Sequence, residues 1–132
     1  MVNSLWQQIE TILLIGVGGF IGANARQWVT VWAGERFGSA FPWGTLLINV
    51  SGSCLLTVFL VWSGKYLSLE PRPRLFFAVG FFGAYTTFST FAYNSVTMAY
   101  GGDWTGALAN IFGTNALCLL GAWLGLLIGS RL

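Results

Sequence analysis

Gly83-Ala84-Tyr85-Thr86-Thr87-Phe88-Ser89-Thr90-Phe91 lies inside a charge-free run, residues 75–102, where a plain membrane helix would read Leu, Ile and Val. It carries instead the hydroxyls of Thr86, Thr87, Ser89 and Thr90 and the matched rings of Phe88 and Phe91. Lipid offers no partner to a freed backbone group or a Thr hydroxyl. Polar or broken helix is therefore tolerated at membrane depth only where protein buries it or where it lines a pathway. The stretch is thus the candidate working segment, and it predicts a third span interrupted around residues 80–87.

The rest of the composition places that segment in a bilayer. Charged residues are 8% of the chain and hydrophobic residues 55%, against about 25% charged in soluble domains. Mean hydropathy is +0.71. Charge-free runs cover residues 37–64, 75–102 and 104–130, and residues 11–34 are interrupted only by Arg26. Each is long enough for the ~20 residues that cross a hydrocarbon core. The fold expected is all-α and integral to the membrane: one domain, residues 1–132, of four transmembrane helices joined by short loops. The first segment has no basic leader or small-residue cleavage pattern and carries Glu10, so it reads as a retained span. So small a bundle encloses little, which makes a homo-oligomer the expectation.

Other function classes find little material. Net charge is +2 without a basic cluster, so no nucleic-acid partner is expected. There is no His, and Cys54 and Cys118 lie inside hydrophobic runs without metal-ligand spacing. The carboxylates Glu10, Glu35, Glu70 and Asp103 all sit at or beyond predicted helix ends, so no enzyme is expected.

Along the chain, helix one is predicted from about Leu5 to Trp32 and carries Gly18-x-x-x-Gly22, a small-residue face for close backbone approach. Helix two begins near Pro42, a favoured first-turn residue, and runs to about Ser63. Helix three starts near Leu75. Helix four, Trp104 to Ser130, carries Gly121-x-x-x-Gly125-x-x-x-Gly129. Most tryptophans fall near helix ends, as interfacial anchors do. Lys65, Arg72, Arg74 and Arg131 share one side of the membrane; Arg36, with Arg26 if it snorkels, holds the other. The positive-inside rule then gives a small bias toward cytoplasmic termini, compatible with both orientations.

Phe88 and Phe91, three apart, share a helix face. Two readings are open: ordinary packing, or two positive ring edges forming a weakly polar anion site. The neighbouring hydroxyls serve either to donate to an anion or to bond the carbonyl one turn back. A break in helix three also frees carbonyls. If those of Gly83 and Thr86 point inward, two copies of the chain offer four oxygens to a hard cation such as Na⁺; the alternative is a plain glycine kink. Asn49 sits mid-helix with Thr45 one turn earlier, as interhelical glue or as pathway lining. Asn110, Thr114 and Cys118 recur every four residues as a polar stripe that favours a wetted face, with Asn115 beside it. Arg26, the lone charge within a span, either snorkels to the headgroups or attracts anions at a vestibule.

In this order the features resemble the small fluoride channels, the Fluc or CrcB family, over essentially the whole chain. The resemblance is carried by Gly18, Gly22 and Arg26 of helix one, by P-W-G-T-L-x-x-N at 42–49, and above all by G-x-x-G-x-x-T-T-F-S-T-F at 80–91. It implies an antiparallel, dual-topology homodimer in the cell inner (plasma) membrane of a prokaryote, with a break in the third helix and passive, selective fluoride efflux. It further implies Na⁺ at the dimer interface on the backbone carbonyls of Gly83 and Thr86. The implied fluoride pathway comprises Asn49, Phe88, Phe91, Thr45, Ser89, Thr90, Thr114, Cys118 and Arg26. Ala84, Tyr85, Ala92, Asn94, Asn110 and Cys118 depart from the usual family pattern. Two other classes fit four short spans: a proton-coupled small multidrug transporter, which needs a carboxylate deep in the membrane, and a non-transporting assembly subunit.

Overall fold

The computed structural model describes residues 4–67 and 71–132; of the residues read above, Glu70 lies outside them. Four helical spans are long and apolar enough to cross a membrane: Leu5–Phe37, Trp43–Tyr66, Pro71–Tyr100 and Trp104–Arg131. The first runs beyond its expected end to Phe37, and the third begins at Pro71, ahead of the predicted Leu75. In both cases polar residues continue a helix that hydropathy alone would end at the bilayer boundary.

Local chemistry explains the ends. Ser4 and Gln7 form a reciprocal cap: Ser4 Oγ accepts from Gln7 N at 3.3 Å and Gln7 Oε1 accepts from Ser4 N at 2.9 Å. Pro42 sits just before the second span, and its carbonyl accepts from Leu46 N at 3.0 Å. Between the third and fourth, Gly102 takes φ +90°, which a residue with Cβ rarely adopts. Asp103 then caps the fourth span by accepting from Gly106 N at 2.9 Å.

The glycine repeats decide which spans pair. A methyl on Gly18 or Gly22 would run into the carbonyl of Phe76 or of Phe81, and one on Gly80 would sit 2.8 Å from the Ile15 carbonyl. The first and third spans therefore lie with backbones nearly touching, and Glu10 pairs with Arg72 at their shared end, 2.5 Å apart. Gly121, Gly125 and Gly129 do the same against the carbonyls of Val50, Cys54 and Val58 in the second span. That pair is closed by Lys65 Nζ donating to Ser130 O at 2.6 Å. A lipid-soluble bundle lacks a hydrophobic drive between its helices, so dispersion at such close approach is what joins them. Where the pairs meet, Ile48, Phe82 and Tyr85 form the core, with Ala25, Val29, Leu56, Phe59 and Phe81 packed against it.

The third span is not uniform. Residues Arg74–Phe82 wind as a wide helix with i to i+5 hydrogen bonds, followed by a helical turn at Gly83–Tyr85. Thr86 (φ −84°, ψ 159°) and Thr87 (φ −153°, ψ 114°) are extended, and helix resumes at Phe88–Tyr100. Gly80 and Gly83, at the start of the range expected to be interrupted, are helical. A second wide segment, Ala109–Gly113, lies within the fourth span. Wide turns of this kind are rare and concentrate at functional sites.

Candidate functional site

Everything around the extended pair is organised by where its main-chain groups go. Thr86 N donates to Phe82 O at 3.1 Å, and its hydroxyl donates to the same carbonyl at 3.0 Å. Thr87 leaves the helix altogether. Its N–H donates to Asn49 Oδ1 at 2.8 Å, and its carbonyl accepts from Asn49 Nδ2 at 3.0 Å. A single amide on the second span thus replaces both helical partners of one residue on the third. Thr87 Oγ1 in turn accepts from Thr90 N at 3.2 Å, capping the resumed helix.

These substitutions free two carbonyls. A continuing helix would direct the Thr87 N–H onto the Gly83 carbonyl and the Thr90 N–H onto the Thr86 carbonyl. Both donors are engaged elsewhere, by Asn49 and by the Thr87 hydroxyl. Gly83 and Thr86 therefore present oxygens without their helical donors.

A cavity of about 270 Å³ opens beside the pair, between the second, third and fourth spans. Asn49, Thr86, Thr87, Phe88, Phe91, Thr114 and Cys118 all line it, together with Gly52, Ser53, Leu56 and Asn115. The Phe88 and Phe91 rings lie 5.4 Å apart at 49°, neither stacked nor perpendicular. Their surroundings differ sharply: Phe91 is 7% exposed and Phe88 76%. The cavity therefore has an open side, with one ring fixed in the protein and one at its rim. Cys118 and Ser53 both line the cavity wall.

Thr45 and Thr90 line a different cavity of about 400 Å³, near the loop that joins the first two spans. There Thr45 Oγ1 accepts from Asn94 Nδ2 at 3.2 Å. Ser89 is exposed and lines neither space; its hydroxyl lies 3.2 Å from Thr87 Oγ1. Arg26 is half-buried and also lines neither.

The stripe on the fourth span divides. Asn110, read as part of a wetted face, is fully buried: its Nδ2 donates to Ser95 Oγ at 2.9 Å and its Oδ1 accepts from the Thr114 hydroxyl at 3.1 Å. Ser95 Oγ continues the chain to Phe91 O at 2.8 Å. Asn110 is therefore interhelical glue that ties the fourth span to the residue bearing the buried ring, while Thr114 and Cys118 face the cavity. Ser51, Ser53 and Ser95 are not singled out by the sequence, and Asn94 only as a departure from the family pattern. For Ser51 and Ser53, the signal was their place within one turn of Asn49.

Among the described residues no cluster of His, Cys, Asp or Glu could hold a metal through side chains. Glu10, the carboxylate nearest to a span interior, is tied to Arg72 near the start of the first span.

A family model described as "CrcB-like protein, Camphor Resistance (CrcB)" matches residues 13–126. A protein of Koribacter versatilis (strain Ellin345) named fluoride-specific ion channel FluC is 42% identical over 111 residues, covering 84% of this chain and 88% of the relative. A protein of the same name from Acidobacterium capsulatum is 42% identical over 120 residues, 91% of this chain and 96% of its own length. Another from Sulfurihydrogenibium sp. (strain YO3AOP1) is 41% identical over 124 residues, 94% of this chain and the whole relative.

Proposed function

The chain belongs to the CrcB-like family, and on that premise we propose that it is a fluoride-selective ion channel through which fluoride leaves the cell passively. It is a multi-pass membrane protein and not an enzyme. The observation that carries the reading is the cavity at the extended pair, where an amide, hydroxyls and two phenyl rings meet without a fixed charge. Similarity to proteins named fluoride-specific ion channel supports the choice of ion.

The energetics follow from desolvation. Moving a small anion into hydrocarbon carries an idealised cost of tens of kcal/mol. A pathway must replace its water with donors, yet bind weakly enough to release it. The second amide hydrogen of Asn49 and the Cys118 thiol offer weakly donating polar groups, and the Phe88 and Phe91 edges add positive quadrupole. Thr45, Thr90, Ser89 and Arg26 would act toward the mouth of the route. Fluoride enters acidified cells as neutral HF and dissociates inside; a passive conduit returns the anion, driven by the membrane potential.

The working unit we propose is an antiparallel, dual-topology homodimer. The open side of the cavity and the exposed ring of Phe88 support it, because a polar-lined path cannot face acyl chains. Two copies would bring together two pairs of the released Gly83 and Thr86 carbonyls, and these residues would hold a structural Na⁺ at the interface. The ion would supply charge balance for four converging carbonyl dipoles. The multidrug-transporter alternative needs a carboxylate deep in the membrane, whereas Glu10 lies near the start of the first span beside Arg72.

The test is direct. Purified protein in fluoride-loaded liposomes should empty them when a potassium ionophore relieves the charge block, and chloride-loaded liposomes should stay full. No fluoride release, or equal passage of chloride, would refute the reading.

A further inference from the structure

Two anchors, not one, connect the second span to the extended pair. The first is Asn49 on Thr87. The second is Tyr85, the last helical residue before the pair, whose hydroxyl lies 3.0 Å from Ser51 Oγ. The direction of that bond can be assigned. Ser51 has one hydroxyl hydrogen, and it is directed to Leu47 O at 2.7 Å. The phenol of Tyr85 must therefore be the donor and Ser51 Oγ the acceptor. Tyr85 is only 9% exposed, and its ring stacks on Phe81 at 5.7 Å and 12°. The other side of the ring meets Gly52, where an added Cβ would stand 3.2 Å from Tyr85 Cδ1 and collide with the Thr86 methyl. One turn of the second span thus holds the chain immediately before and immediately after the turn-out.

We infer that Tyr85 and Ser51 are positioning residues for ion flux: their hydrogen bond sets where the first half of the third span stops, and so where the Thr86–Phe88 wall of the cavity stands. The inference rests on the channel reading above and adds the contact that fixes the pathway's geometry. The bond is asymmetric. Removing the phenol leaves Ser51 still bonded to Leu47. Removing the serine hydroxyl leaves a buried phenol with no acceptor, the costlier defect. An orphaned phenol turns to find a partner and carries the end of the helical segment with it.

The experiment is a four-way comparison of wild type, Tyr85→Phe, Ser51→Ala and the double variant in liposomes holding less than one channel each on average. The fraction of vesicles emptied counts active proteins, and the speed of emptying reports flux through each. Ser51→Ala is expected to slow each active vesicle about tenfold, the factor an unsatisfied buried donor implies, with the fraction emptied unchanged. Tyr85→Phe should slow it about threefold. Adding Tyr85→Phe to Ser51→Ala should restore the rate to that of Tyr85→Phe alone, because no phenol remains to be orphaned. Unchanged speed in both single variants would overturn the inference. So would a loss confined to the fraction emptied, which would assign the pair to folding only; if Ser51→Ala does not reconstitute, wild-type speed in Tyr85→Phe would also overturn it. Wild-type vesicles that never release fluoride would instead defeat the channel reading.

Discussion

Asn49 and Thr87, 38 residues apart, exchange two hydrogen bonds through one side-chain amide, at 2.8 and 3.0 Å. The geometry is that of a strand pairing transplanted between two membrane helices. It solves the problem that any break at membrane depth creates, because neither main-chain group of Thr87 faces lipid unpaired.

Replacing Asn49 by Ala should therefore do more than enlarge the cavity. Both groups of Thr87 lose their partner, at about 1–3 kcal/mol for each unsatisfied group, and the helix is drawn toward closing over the pair. Fluoride release should fall at least about tenfold by the conversion of 1.4 kcal/mol per decade. Asn49→Asp, which keeps the acceptor for Thr87 N and loses the donor, should be the milder change. Wild-type flux in Asn49→Ala would separate the amide from the pathway.

Phe88 and Phe91 should respond differently to the same substitution. Ile at either position removes a ring edge, and flux should be nearly abolished in both. Stability should drop only for Phe91→Ile, by about 1–2 kcal/mol, since that ring is buried and the smaller side chain leaves a void. Thermal unfolding in detergent measures the difference. Full flux in either variant would show that its ring only packs.

The two cysteines should be distinguishable by a small thiol reagent such as Ag⁺. Cys118 lines the cavity, whereas Cys54 lies under the fourth span, its carbonyl against Gly125. Block of fluoride release should persist in Cys54→Ser and vanish in Cys118→Ser. The reverse pattern would place the conducting space elsewhere.

Glycine substitutions should sort by what lies opposite. Gly22→Ala and Gly125→Ala push a methyl into the carbonyl of Phe81 or Cys54, and the overpacking should cost about 1–3 kcal/mol. Gly16 and Gly113 face nothing within 4 Å, so alanine there should be neutral or stabilise by about 0.5–1 kcal/mol through the helix-propensity difference. Unfolding midpoints of the four variants give the ordering.

Exchange of Na⁺ for a bulky organic cation should lower the stability of the proposed dimer, because the Gly83 and Thr86 carbonyls would converge without a charge between them. Dimer dissociation measured by size in both salts checks this. Identical stability would remove the cation from the proposal.

Hydropathy by itself determined the four spans and about where they lie, since transfer into lipid is a sum over residues that are neighbours in sequence; the ends at Phe37, Tyr66 and Pro71 it misplaced by a few residues. The polar stretch at 83–91 was conspicuous for the same reason: each hydroxyl there costs free energy wherever the chain folds. What the tertiary structure decided was the use made of each polar group. Asn110 and Thr114 repeat on one face and are both buried, yet Asn110 reaches across to Ser95 while Thr114, bonded to Asn110, also borders a cavity. Likewise Gly18 and Gly22 announced a close approach without naming the partner, and Asn49 read equally as glue or lining. It bonds both main-chain groups of Thr87 and also borders a cavity, and only the arrival of Thr87 from a distant part of the chain makes it so: a hydrogen bond depends on position in space, and sequence spacing carries that information only within a helix turn or two.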